Sequence, residues 1–419
     1  MLHKMLRKKM TSINIFKELR TKYVSWSSLK TFLTGDEGGK LTIVENTIKP
    51  RYCIVRYDKA VSNFTIPYVH AFRSVVWDTS LNLPVSVAPF KAIEIEPSVE
   101  HVQDSNTIIQ EFVEGTMIQA FTTAEDQQIH LATRTKFGAH TRFHSKRNFS
   151  ELIKDAPQYA ELNKILPPTS PTVPYTFTSL VLQHPEHRVV APITQPRLCV
   201  VNLGAVNADG LVTISENPLT WSETALRHAV PTYEHKNINT QALAMTYGWM
   251  WQGLVVKNTI TLQRWRMRNP LYTLVRDLRG NESDDILRFL RLRKAGQIYA
   301  YVQYYPEIAP IYEAYELKLR EQTQSLFDDY CMVYKNKSAS KKSLNDVGWP
   351  HRQNIRVIHD IYRTQLKPAQ QIVKKEMVVY YMNNLDSVKQ RAFIITPMGG
   401  KVTTKSIVAE LHDNEDVVL

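Results

Sequence analysis

From about Arg51 to Val256, short runs of β-branched and aromatic residues alternate with polar turns. This pattern predicts strands. The clearest runs are Tyr52–Tyr57, Arg73–Asp78, Val85–Ala88, Ile108–Val113, Met117–Thr122, Ile129–Thr133, Phe177–Leu182 and Leu198–Leu203. Helical segments interrupt them, most plainly Ser145–Asp155, and Pro167, Pro168, Pro171 and Pro174 break any regular element there. Interspersed helices and antiparallel-looking strands predict an α+β class.

Beyond Asn269 the pattern turns helical. Asn269-Pro270 predicts an N-cap and first-turn proline opening a helix that Gly280 ends. Ser283, followed by Asp284 and Asp285, predicts the start of another, ended by Gly296. Between Ile311 and Val347 there is neither Gly nor Pro, and the residue types favour a long helix over the first part. Lys335–Ser343 reads as a solvated loop, and helical spacing resumes from Gln353 to Asn384. The tail from Glu410 is acidic and expected to fray.

The 419 residues, 43% hydrophobic, suffice for more than one domain and a sizeable core. The formal charge of +12 points to a polyanionic partner. Its location is more informative: residues 1–30 carry +7 and residues 264–294 carry +5, so the remaining residues balance. No apolar run approaches the roughly 20 residues that span a bilayer, and Met1–Met10 lacks the apolar core of a secretory signal. That stretch reads as a basic arm, or as an extension upstream of a start at Met10, which would leave +8. Three scattered cysteines, Cys53, Cys199 and Cys331, exclude a disulfide scaffold and point to a reducing compartment, cytoplasmic or viral. No Walker loop or Gly-x-Gly-x-x-Gly is present, which sets aside P-loop and dinucleotide-binding enzymes.

One ordered series of motifs remains. It comprises Arg73-Ser-Val-Val-Trp-Asp78, Val87-Ala-Pro-Phe-Lys-Ala92, Phe112-Val-Glu-Gly-Thr116, Ala132-Thr-Arg-Thr-Lys-Phe-Gly138, Pro185-Glu-His-Arg-Val-Val190, Gln252-Gly-Leu-Val-Val256 and Arg266-Met-Arg-Asn269. In order and spacing these motifs resemble the bacteriophage-type ATP-dependent RNA ligases of the covalent nucleotidyltransferase superfamily, over roughly Arg51 to Gly280. The resemblance implies an ATP-grasp-like ligase domain of antiparallel sheets with flanking helices over residues 51–280. Outside that span, the charge pattern predicts a basic arm and entry segment over 1–50, and the helical pattern a mainly helical C-terminal domain with an acidic tail over 281–419. ATP or another nucleotide with Mg as cofactor, and RNA or other nucleic acid as partner, are further implications of the resemblance.

In that family a lysine attacks the α-phosphate of ATP to give lysyl-AMP, and the amine must be deprotonated to do so. The acid and glycine of the motif stand here as Glu114 and Gly115, but the lysine position holds Phe112, which has no nucleophile. The metal-holding carboxylate before the Gly-hydrophobic strand is Gln252, and the carboxylate expected before Pro185 falls at Val181. The paired phosphate-binding lysines become Arg266 and Arg268, which keep the charge and can fork onto phosphate. Arg73, Lys91, Arg134 and Arg188 stand where the resemblance implies nucleotide or phosphate contacts. On a strand Arg264, Arg266 and Arg268 share one face, suited to a phosphate backbone; the competing reading is a salt-bridged outer face. In the following helix, Asp284 and Asp285 pairing with Arg288 and Arg291 is the simpler reading.

These residues describe a pseudoenzyme that binds nucleic acid or nucleotide without covalent catalysis. Two other readings stay open. One is an active ligase using a displaced lysine, Lys91 or Lys257; the other is a structural component of a viral particle or large complex, since such ligase-like chains fit the proteomes of large DNA viruses. His140 and His144 are four apart but lack a third ligand, and the pairs at Trp249–Trp251 and Tyr380-Tyr381 read as core aromatics before base-stacking groups.

Overall fold

The computed structural model describes residues 11–95, 106–233, 240–337 and 341–397. The arm expected over Met1–Lys9 and the acidic tail from Glu410 lie outside them. The chain forms two compact units, divided between Arg276 and Asp277.

The first unit is built on three sheets. One runs in the order β1 (Thr11–Ile13), β12 (Val212–Ser215), β11 (Arg197–Val206), β10 (Tyr175–Gln183), β8 (Thr116–Thr123), β9 (His130–Ala132), antiparallel throughout. A second runs β13 (Thr232–Tyr233), β7 (Thr107–Glu111), β14 (Gly253–Asn258), β15 (Arg264–Arg268), β6 (Ile93–Glu94), with only the β15–β6 pair parallel. The third is an antiparallel meander of β2 (Thr42–Glu45), β3 (Tyr52–Arg56), β4 (Val75–Asp78) and β5 (Leu83–Val87). Each of the eight runs read as strands overlaps one of these elements.

Burial explains why the central strands are apolar on both sides. Every residue of β10 except Gln183 is buried: Leu180 and Leu182 pack into one cluster, Tyr175 and Phe177 into the main core, and Val181 into a third. Such strands read as continuous apolar runs. Helices α1 (Ile15–Lys22) and α2 (Trp26–Thr34) seat Phe16, Leu19, Leu29 and Leu33 in the main core. Residues 11–50, expected to enter the fold as an arm, thus supply β1, α1, α2 and β2 to the first unit. The helix expected over Ser145–Asp155 begins later, because Asn148 forms a capping box with Glu151; an α-turn from Phe149 to Leu152 then tightens into 3₁₀.

In the second unit every described regular element is helical. Helix α3 (Pro270–Arg279) crosses the boundary and follows Asn269 as expected. It is followed by α4 (Asp285–Lys294), α5 (Ile298–Tyr304), α6 (Ala309–Tyr330), α7 (His351–Ile361), α8 (Lys375–Asn384) and α9 (Ser387–Ile395). Asp284, not Ser283, caps α4, accepting from the amides of Ile286 and Leu287. The helical pattern expected over Gln353–Asn384 falls in two helices: α7 loosens into a π turn over Tyr362–Leu366, and Pro368, which cannot donate, ends it before α8. A matching π turn over Cys331–Lys335 extends α6. Among the described residues no helix is long and apolar enough to cross a membrane. The three cysteines are free thiols, Cys53 and Cys199 buried and Cys331 half-buried.

Candidate functional site

Strand β3 runs Tyr-Cys-Ile-Val-Arg, wholly buried, so its last residue, Arg56, brings a cation into an apolar strand; it is 8% exposed. Its Nε is buried without a hydrogen-bond acceptor, and burial lowers its pKa, with Arg134 adding to the effect. The Nε of Arg134 is likewise buried without an acceptor. Next to Arg56, the Tyr57 ring has the Arg134 guanidinium 5.6 Å and the Lys91 ammonium 5.9 Å from its centroid; Lys91 also sits 3.5 Å from that of Phe64. Arg73 precedes β4, and burial pushes it down to about 10, with Arg264, Arg134 and Arg266 repelling it. Exposed Lys59 is lowered chiefly by desolvation and then by Arg134, Arg266, Arg73 and Lys91.

The expected residues Arg73, Lys91, Arg134 and Arg266 therefore converge, and Arg56 and Lys59 join them. Asp58 and Glu94 offset part of this charge. Neither Arg56 nor Lys59 belongs to the quoted motifs. The one signal for Arg56 was an arginine inside a strand otherwise apolar or aromatic, since arginine is almost never fully buried unless paired.

A second group surrounds Phe112. Its ring lies 5.2 Å from the Arg268 guanidinium, and its amide donates to the Gly253 carbonyl at 2.9 Å. The Glu114 carboxylate is not directed at a ligand. It accepts the amides of Val189, Val190 and Ala191 at 3.2, 2.9 and 3.0 Å and bonds the Tyr272 hydroxyl. Burial raises its pKa against those bonds. Glu114, a nucleotide- or phosphate-binding candidate by the resemblance, here clamps the β7–β8 turn onto the segment after Pro185. Gly115 has φ +145° and would place a Cβ against Val181 and the Leu182 carbonyl, so glycine is required there. Arg188 donates its Nε to the Val190 carbonyl at 2.9 Å within the same clamped segment.

The strand arginines are not a free row. Arg264 bonds Glu216 at 3.0 Å, and the Lys257 ammonium bonds Glu216 at 3.1 Å and the Val201 carbonyl at 3.1 Å, all buried. Burial pushes Lys257 down to about 8, Glu216 opposing it. Arg266 and Arg268 share Glu94, at 2.6 and 3.1 Å. One Arg268 Nη atom and the Gln252 side-chain oxygen remain buried without partners. In α4, Arg288 pairs with Asp285, while Arg291 pairs with Glu282; Asp284 reaches Arg391 instead.

The positions at which metal carboxylates were expected do not fit a divalent ion. Val181 packs among Val113, Cys199, Val201 and Val230, and Gln252 offers a neutral amide. Elsewhere Asp155, His184 and Glu186 gather three potential ligand atoms. Arg147 already bridges both carboxylates at 2.7 and 3.1 Å and, ahead of His184, holds Asp155 down at about 2. His140 bonds Ser150, and the His144 ring packs against Phe143 and His187.

No family model matches the chain, and no curated protein matches it. Among solved structures it is similar to an archaeal ATP-dependent RNA ligase in two forms. The first is 9% identical, over 70% of this chain and 82% of that one, at a TM-score of 0.39. The second is 11% identical, over 70% and 76%, at 0.35. Likeness at that level assigns neither activity nor residue roles.

Proposed function

We propose that the first unit is an RNA-ligase-like nucleotidyltransferase fold that holds the phosphates of a nucleotide or nucleic acid in its basic cluster, without forming lysyl-AMP. The carrying observation is the pair of buried guanidinium nitrogens, Arg56 Nε and Arg134 Nε, that find no acceptor among the described residues. An unmet buried donor costs about 1–3 kcal/mol, more when charged. A phosphate bound against the cluster would supply the missing acceptor once the guanidinium edges turn toward it, with Arg73, Lys59, Lys91 and Arg266 sharing its charge. The absence of covalent transfer is supported by Phe112 at the nucleophile position and by Val181 and Gln252 in place of carboxylates. Of the displaced lysines, the Lys257 amine is engaged by Glu216 and Val201, which disfavours its use as a nucleophile.

Two measurements on the full chain test this reading. Calorimetric titration with ATP is expected to show binding that weakens at least tenfold in Arg56→Gln and Arg134→Gln. Incubation with α-labelled ATP and magnesium is expected to leave no label on the denatured protein. Unchanged affinity in both variants, or a covalent adduct stable to denaturation, overturns it.

A further inference from the structure

Outside the segments at 1–30 and 264–294 the chain is neutral in sum, but that sum conceals a strong local excess. Residues 335–375 hold ten Lys and Arg against two acids, a net +8. Acids collect in the preceding stretch instead: residues 306–330 hold six Asp and Glu against two basic residues, a net −4. The two signs are thus segregated along the second unit.

The backbone arranges the excess. Arg352, Arg356, His359, Arg363 and Lys367 recur at spacings of four, three, four and four through α7 and its π turn. That period keeps them on one side of a helix. At about 1.5 Å per residue the row is roughly 22 Å long, with about one basic side chain per turn. Arg356, Arg363 and Lys367 are exposed and form no ion pair among the described residues. Arg352 spends its donors on the carbonyls of Val347 and Asn345, which do not neutralise it.

The π turn after α6 adds to the same place. Tyr334 stacks on His359 with centroids 3.6 Å apart and planes 4° apart, and His359 in turn contacts Tyr362 at 5.7 Å. This stack holds Cys331–Lys335 beside α7. Lys335 bonds the Val373 carbonyl at 2.6 Å, which brings it next to exposed Lys374 and Lys375.

We infer that this face of the second unit is a docking surface for the phosphate backbone of a nucleic acid strand. The four lysine and arginine cations of the row release counterions from such a backbone, while His359 serves to stack Tyr334 against the helix. A lipid surface fits less well, because Gln353 and Thr364 flank the row and Val357 is the single exposed large apolar side chain of α7, where a membrane-lying helix needs several. The surface is built from residues of the second unit alone, and the inference does not rest on the phosphate site proposed for the first.

The test is fluorescence anisotropy of a labelled 20-nucleotide single-stranded RNA with the full chain between 50 and 200 mM KCl. The triple variant Arg356→Gln, Arg363→Gln, Lys367→Gln is expected to flatten the log K against log salt slope by about 2, at roughly 0.7 per lost contact. ATP titration of the same variant is expected to be unchanged, which also verifies that the protein is folded. Asp360→Lys, which adds a cation beside the row, is expected to raise RNA affinity several-fold. An unchanged slope in the triple variant overturns the inference. So does binding to phosphatidylserine vesicles at concentrations where RNA does not bind. Loss of ATP binding in Arg56→Gln with the RNA slope retained separates this surface from the first site.

Discussion

Two side-chain groups in the first unit hold buried charge in opposite ways. Arg56 is buried with its Nε unmet, whereas Lys257 and Arg264 are buried with Glu216 between them. Replacing a lone buried cation by an apolar side chain of similar volume relieves desolvation without breaking a pair. Arg56→Met is therefore expected to raise the melting temperature of the ligand-free protein by about 2–4 °C per kcal/mol gained, while weakening nucleotide binding. Glu216→Gln leaves two cations without a counter-charge, and urea unfolding is expected to show a loss of about 3–5 kcal/mol. Lys257 also gives a pH signature. Its folded pKa of about 8 lies below the ordinary lysine value of about 10.4, so between those values the unfolded chain binds more protons and stability rises with pH. The thiols of Cys53 and Cys199, pushed up by burial to about 12 and about 11, act in the opposite sense. Wild type compared with Lys257→Met, which keeps both thiols, isolates the lysine: between about pH 8 and 10 the stability of wild type relative to the variant is expected to increase with pH, and a constant difference overturns the assignment.

Among the elements, the β14–β15 hairpin links the two candidate groups. Gly253 opens β14 at φ +132°, with its would-be Cβ pressed against the Met267 carbonyl of β15, and its own carbonyl receives the Phe112 amide. Gly253→Ala is expected to cost about 3 kcal/mol through backbone strain and overpacking. Chemical denaturation checks the loss, and weakened ATP binding would follow the shift of Arg266 and Arg268. The strands were legible because β-branched and aromatic runs meet a pleated, doubly buried surface, as in β3, β10 and β11. The helix starts at Pro270 and Asp285 were legible within a residue, since capping chemistry is local. The fate of Arg264 and Arg266 was not legible. Their carboxylates lie 48 and 172 residues away in the chain, and nothing in a strand's alternation reveals which distant acid will reach it. The partners of Glu114 were not legible for a similar reason: they are backbone amides at 189–191, which carry no side-chain signature.

For the whole molecule, net charge is a poor guide to where a polyanion would bind. The cluster around Tyr57 draws Arg56 and Lys59 from β3 and the turn after it, and single residues from the approaches to β4 and β6, from the turn after β9 and from β15; only the last, Arg266, lies in a basic run. In the second unit the excess is sequential and exposed, and is hidden only by acids elsewhere in the chain. The two sites make separable contributions: the first is expected to be read by nucleotide titration, the second by the salt dependence of RNA binding. The Phe112–Arg268 contact bears finally on evolutionary reversibility. On the proposed reading, a single codon change that put lysine back at 112 would set an ammonium beneath a guanidinium already short of one acceptor, with Val181 still offering no carboxylate nearby. Each restoring step is unfavourable until the others are in place. On that reading, covalent chemistry at this place would need several substitutions together, none of them favourable by itself.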